Sequence, residues 1–234
     1  MATVTLANSR ASTSNVATYV GNGFAPAVGD VLVHFVAKTG STNNGTVTDT
    51  GSNPWTQLTA AACFIGGGAA ADRVEVFATT QQLTSASTIT VTYDCTGDNA
   101  TGANVATFRV AGCDGAYLRQ WKANTGGSST TPTCSMDLAI NTNNAVVAMA
   151  ANGANPAALT PPSSWTEGAD IGFATPASGA EFAYRSPGET NSVVSWGGTS
   201  GTSWGAIVVE LYTSGQGVTL DDSRMGFFGV LQAR

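Results

Sequence analysis

Histidine occurs once in the 234 residues, at His34, and lysine twice, at Lys38 and Lys122. Charged side chains make up 10% of the chain, against roughly a quarter in an average soluble protein. Each scarcity excludes something. With one histidine and no C-x-x-C pair among Cys63, Cys95, Cys113 and Cys134, a zinc site lacks its usual ligands and spacing. With nine scattered basic residues, a net charge of −6 and a pI of about 4.5, the electrostatic footprint of a nucleic-acid binder is missing. No run of about 18 apolar residues exists to cross a membrane as a helix. Residues 1–6 show no basic stretch leading into an apolar one, so no Sec-type signal peptide is expected and synthesis is expected in the cytoplasm. The four cysteines are expected to be buried free thiols, which pack as small apolar residues, with disulfides in any of three pairings the alternative in an oxidising environment.

Catalytic patterns are scarce too. There is no G-x-S-x-G elbow, and His34 sits in an apolar strand without a neighbouring nucleophile, which makes it a packing residue. Gly66-Gly67-Gly68 is followed by alanines rather than a Walker lysine, so it is a loop. The oxygen-rich loop holding Asp94, Asp98 and Asn99 lacks the ordered spacing of a calcium loop and reads as a solvated turn. No enzyme, cofactor or metal site is expected.

What the chain does have is a repeated order of features. Residues 29–37 form a two-sided apolar strand, followed by a polar loop, Trp55-Thr56 and strand-like runs at 74–79, 89–93 and 104–110. The series recurs as residues 144–150, Trp165-Thr166, and runs at 181–186, 192–196 and 204–212. Short alternating stretches at 2–8 and 16–20 lead the first series, and 134–140 leads the second. No window keeps helical spacing free of Gly or Pro. The prediction is an all-β chain of about eight to twelve strands: an antiparallel β-sandwich, jelly-roll or immunoglobulin-like, with an internal duplication. The copies span about 16–112 and 134–212 within a domain of residues 1–213. Residues 112–132 carry Tyr117, Leu118 and Trp121, and read as a crossover packed on the sheets, which favours one sandwich over two tandem beads. Trp55 and Trp165 occupy equivalent points and are read as structural.

Residues 214–234 lie outside the repeat as a C-terminal arm. Val218, Leu220, Met225, Phe227, Phe228, Val230 and Leu231 make it too apolar for a solvated tail. It either docks on its own sandwich or enters a neighbouring subunit. Too few lysines are present to guard exposed strand edges, which points to edges covered by neighbours.

The stretch Asp49-Thr50-Gly51-Ser52-Asn53-Pro54-Trp55-Thr56, after Gly29-Asp30-Val31 and before the runs at 74–77 and 89–93, resembles β-sandwich domains of tailed-bacteriophage virions. The second copy, with Pro161-Pro162-Ser163-Ser164-Trp165-Thr166, lacks the Asp-x-Gly element. The resemblance implies a non-enzymatic virion protein, a capsid decoration or cement protein, with a tail component next. Its partners would be further copies of itself and other virion proteins, the major capsid protein above all. A separate reading is a carbohydrate- or receptor-binding module presenting Trp121 and Trp196 to a glycan.

Overall fold

The computed structural model describes residues 2–63, 72–97, 99–154 and 159–213. Among these there is no helix, and the strands are β1 (Thr3–Ser12), β2 (Thr18–Val20), β3 (Val31–Thr39), β4 (Thr46–Asp49), β5 (Trp55–Cys63), β6 (Asp72–Thr79), β7 (Val91–Asp94), β8 (Gly102–Ala111), β9 (Cys113–Gly126), β10 (Thr133–Ser135), β11 (Ala145–Asn152), β12 (Thr166–Ala174), β13 (Ala177–Arg185), β14 (Val193–Ser195) and β15 (Trp204–Thr213). All pairings are antiparallel, and the fold is an antiparallel β-sandwich.

Two five-stranded sheets carry the architecture. One runs β1-β8-β3-β6-β5 and the other β9-β15-β11-β13-β12. Written in this way the two orders match strand for strand, and they share a local irregularity. The β5–β6 ladder slips between Gln57 and Thr59, and the β12–β13 ladder slips between Glu167 and Ala169. Aligning the two bulges makes Trp55 equivalent to Trp165, Glu75 to Glu181, His34 to Ala148 and Lys38 to Asn152.

The central strands explain the long apolar runs. All nine residues of β3 and all eight of β11 are buried, because both faces of each sheet are covered. On the inner side Val31, Val33 and Phe35 meet Val147, Met149 and Phe182, so one core is shared by both copies. The Phe35 ring lies 5.9 Å from Phe108 of its own sheet and 6.5 Å from Phe182 of the other. A Cβ on Gly205 of β15 would stand 2.7 Å from Val74 of β6, so this seam needs glycine for its close approach. On the outer sides, β2, β7 and β4 cover the first sheet and β10 and β14 the second, each over its own cluster. The result is four layers.

Contacts across the seam are reciprocal. β1 meets β12 as β9 meets β5, β8 meets β13 as β15 meets β6, and β3 meets β11. That is the contact pattern of a twofold interface, here within one chain. One sandwich with a shared core, rather than two beads, is therefore what the chain forms.

Three expectations need correction. The stretch 112–132 is not a crossover over the sheets but mostly the fourteen-residue β9, an edge strand within the second sheet. The leading strand of the second copy is thus β9, and 134–140 contributes only two of the three residues of β10, the counterpart of β2. Matched strands accordingly extend the copies to 3–111 and 113–213. The sequence hid β9 because Gly115 and two further register slips against β15 break its alternation. Strand β12 was also unforeseen: Gly168 and Gly172 interrupt it and its outward positions are polar.

Candidate functional site

Buried polar groups are the natural place to look for chemistry, and most of them are consumed by structure. The His34 ring shares a hydrogen bond of 2.8 Å between Nδ1 and Thr107 Oγ1, and meets Trp55 edge-on at 6.3 Å. Burial pushes its pKa down to about 3. A neutral, 2% exposed imidazole has no route to a substrate, so the Thr–His pair is part of the packing. The four cysteines are buried free thiols, and burial pushes Cys63, Cys113 and Cys134 up to about 12. They stay protonated and unreactive. A cavity of about 250 Å³ opens where the seam ends, between Cys63, Thr125 and Trp204, and among the described residues no other titratable side chain lines it. Asp94 caps a turn through Thr96 N at 2.6 Å, while Asp98 lies outside the described residues.

Four carboxylates act as internal staples. Glu75, fully buried on the outer face of the first sheet, accepts from Lys38 Nζ at 3.2 Å, Tyr93 OH, Gly45 N and Gln57 Nε2, the last three at 3.0 Å. Lys38 also donates to Asn43 O and Ser41 Oγ, so the ion pair has the further partners that a buried charge requires. Burial and the neighbouring Glu75 drive the Tyr93 phenol well above its ordinary range. Glu210 accepts from Arg119 Nη1 and Gln120 Nε2 at 2.6 Å, Asn144 Nδ2 at 2.7 Å and Asn141 N at 2.8 Å, fastening β9 and the turn before β11 to β15. Trp165 donates to Glu189 at 2.6 Å, as Trp55 donates to Asp49 at 2.7 Å, so both tryptophans anchor loops at matching points.

Glu181 breaks this rule. It is 1% exposed and its Oε1 has no hydrogen-bond partner. Burial, then the charges of Glu167 and Asp170, push its pKa up to about 8 from an ordinary 4.5. A raised acid lends stability that is full below pH 4.5 and lost as pH rises through 8; the depressed His34 lends stability that is full above pH 6.5 and lost on acidification. Of the two, only Glu181 therefore acts above pH 6.5. Wild-type stability is expected to fall by about 2 kcal/mol between pH 6.5 and 8. In Glu181→Gln that slope should vanish in urea titrations run across the interval. An unchanged slope would place its origin elsewhere.

The remaining candidates are surfaces. Val218, Leu220, Met225, Phe227, Phe228, Val230 and Leu231 of the C-terminal arm lie outside the described residues. Trp121 on β9 is 37% exposed. Trp196, however, is 2% exposed and packs with Trp165, Trp204 and Val194 under the outer layer, so it is not available to a glycan. Trp196 directly follows β14 in the outer layer, and the short alternation of residues 193–196 does not itself reveal that the face shared by Val194 and Trp196 is the buried one. The edges differ in protection. β12 carries Glu167 and Asp170, β1 carries Arg10, and β9 carries Arg119 and Lys122. β5 has neither charge nor proline in nine residues, and among the described residues its backbone pairs only with β6. Such an edge is a template for strand addition.

Among the described residues no three His, Cys, Asp or Glu side chains converge on one metal-sized point. Comparison with protein-family models, with curated proteins and with solved structures gives no match.

Proposed function

We propose that this chain is a non-enzymatic virion structural protein, a capsid decoration or cement protein that stabilises a particle through contacts between subunits. The observation that carries the reading is the contrast between interior and edge. His34, Glu75, Glu210 and the thiols are sealed into the fold, while β5 offers an uncharged nine-residue edge that a neighbouring strand completes. The apolar composition of residues 218–231 supplies a segment of the right character to lie on such an edge in another subunit. The weak resemblance of residues 49–56 to phage virion sandwiches points the same way. Partners in this reading are further copies of the chain and the major shell protein, and the location is the virion.

Two measurements test it. Electron microscopy of particles from the native source, labelled with antibody to this chain, should place label at regular positions over the shell; label confined to tails, or absent, sinks the decoration role. A chain truncated after Gly217 should fold but lose at least tenfold in particle occupancy. Full occupancy without residues 218–234 removes the arm from the proposal.

A further inference from the structure

The duplicated frame allows one copy to be read as a control for the other. Register equivalence sets Cys63 at the end of β5 in the place of Phe173 near the end of β12, Ser203 in that of Gly102, Gly126 in that of Ser12 and Gly205 in that of Asn104. At the β12 end of the seam the space between the sheets is taken by the Phe173 ring. It is 5% exposed and lies directly on Gly102, where a Cβ would stand 2.6 Å from it. At the β5 end a thiol stands in place of that ring, and the exchange of Asn104 for Gly205 removes further volume. Trp204, in the place of Ala103, belongs to the outer cluster and walls this space without filling it. The cavity bounded by Ala62, Cys63, Gly126, Ser203 and Trp204 is therefore the site of a phenylalanine that the first copy does not supply. Its volume of about 250 Å³ exceeds the ~150 Å³ that takes a benzene ring. Among the described residues its lining is uncharged and includes an indole, surroundings that suit an aromatic ring.

We infer that this cavity receives an aromatic ring from the Phe227-Phe228 pair of a neighbouring subunit's C-terminal arm, the part that Phe173 plays from within at the other end of the seam. The inference rests on the reading in which a neighbour's arm lies along β5, and it names the anchor and the direction of entry. β5 runs toward the cavity, while β15 starts at it and ends at Thr213, about 30 Å away. Gln82, just past the end of β6 that pairs with Trp55, donates to the carbonyl of Cys113, the residue opposite Thr213. The chain's own arm thus starts at the Trp55 end and would run parallel to β5, whereas every ladder among the described residues is antiparallel. An arm from another subunit enters at the Cys63 end, seats a phenylalanine there and continues antiparallel to β5 with Val230 and Leu231. From Thr213 to Phe227 an extended chain spans up to about 50 Å, enough to cross between subunits. The polar run Asp221-Asp222-Ser223-Arg224 falls in that bridging part and the aromatic pair directly after it, the order that a solvated bridge and a buried anchor require.

The experiment is sedimentation velocity of the full chain across a concentration series. Wild type should self-associate. Cys63→Phe, which fills the cavity with the residue found at the equivalent place in the second copy, should weaken association by roughly tenfold or more, and so should the arm variant Phe227→Ser, Phe228→Ser. Combining all three changes should weaken it no further, because both lesions break one contact. Mixed together, the two variants should associate with each other, since one brings an intact arm and the other an intact cavity. That recovery also shows that neither variant failed by misfolding. Wild-type association in Cys63→Phe, or no recovery in the mixture, overturns the assignment. If association withstands Cys63→Phe but is lost on truncation after Gly217, the cavity is wrong and the arm on a neighbour stands; if wild type stays monomeric, or associates equally well after truncation, that reading falls too.

Discussion

Lys38→Met is expected to destabilise the protein by about 3–5 kcal/mol, the usual cost of leaving a buried charge without its partner. Glu75 would keep Tyr93, Gln57 and Gly45 as donors but lose the cation that pairs with its carboxylate among the described residues. Neither side chain of the pair is exposed, so solvent cannot screen the remaining charge. The double variant Lys38→Met, Glu75→Gln should recover most of the loss, because the amide is neutral and still accepts through its carbonyl oxygen. Urea midpoints of the two single variants and the double one form the cycle that decides this. A single variant within about 0.5 kcal/mol of wild type would mean that the ion pair is not what holds β3, β6 and the loop after β3 together.

The second large effect comes from the seam. Phe35→Ala removes a fully buried ring that touches Phe108 on its own sheet and Phe182 on the opposite one. The expected cost is about 3–5 kcal/mol, from lost transfer energy and the cavity left between the sheets. More telling than the size is the form of the transition. Since the core is common to both copies, circular dichroism and tryptophan fluorescence should report one coincident unfolding step in wild type and variant alike. Two separated transitions, with the half containing Trp165, Trp196 and Trp204 persisting, would show that each copy folds on its own.

The strands that were legible in the sequence are those whose burial is settled by the strand itself. Residues of β3, β8, β11 and β15 are apolar on both faces, and that pattern survives any arrangement of neighbours. The duplication was legible for the same reason, through Trp55 and Trp165 and the central strands. What stayed hidden depended on partners. β9 and β12 are edge strands with glycines and ladder slips, so their period-two signal is broken where the backbone bends. The fate of Trp196 depended on a layer of two three-residue strands that leaves almost no trace in composition. The buried, unpartnered oxygen of Glu181 was invisible as well. In the sequence Glu181 is one acidic residue among fifteen, with no spacing to single it out. Its significance appears once the register sets it opposite Asp170 and in line with Glu75. The Lys38-to-Asn152 exchange is the signal that could have found it, but only after the copies were aligned residue by residue.

The reciprocal seam has a further meaning for how the molecule responds to change. In a dimer of identical chains every substitution is entered twice, once on each side of the axis, and must be tolerated in both places at once. Here the two halves of the interface are written separately along one polypeptide, so each position can be altered alone. His34 faces Thr107 while the matching Ala148 lies opposite Val208, and Lys38 and Asn152 differ without either constraining the other. One half is therefore at liberty to hold Glu75 in a buried ion pair with Lys38 while its twin buries Glu181 without that lysine, an asymmetry that no pair of identical subunits could hold.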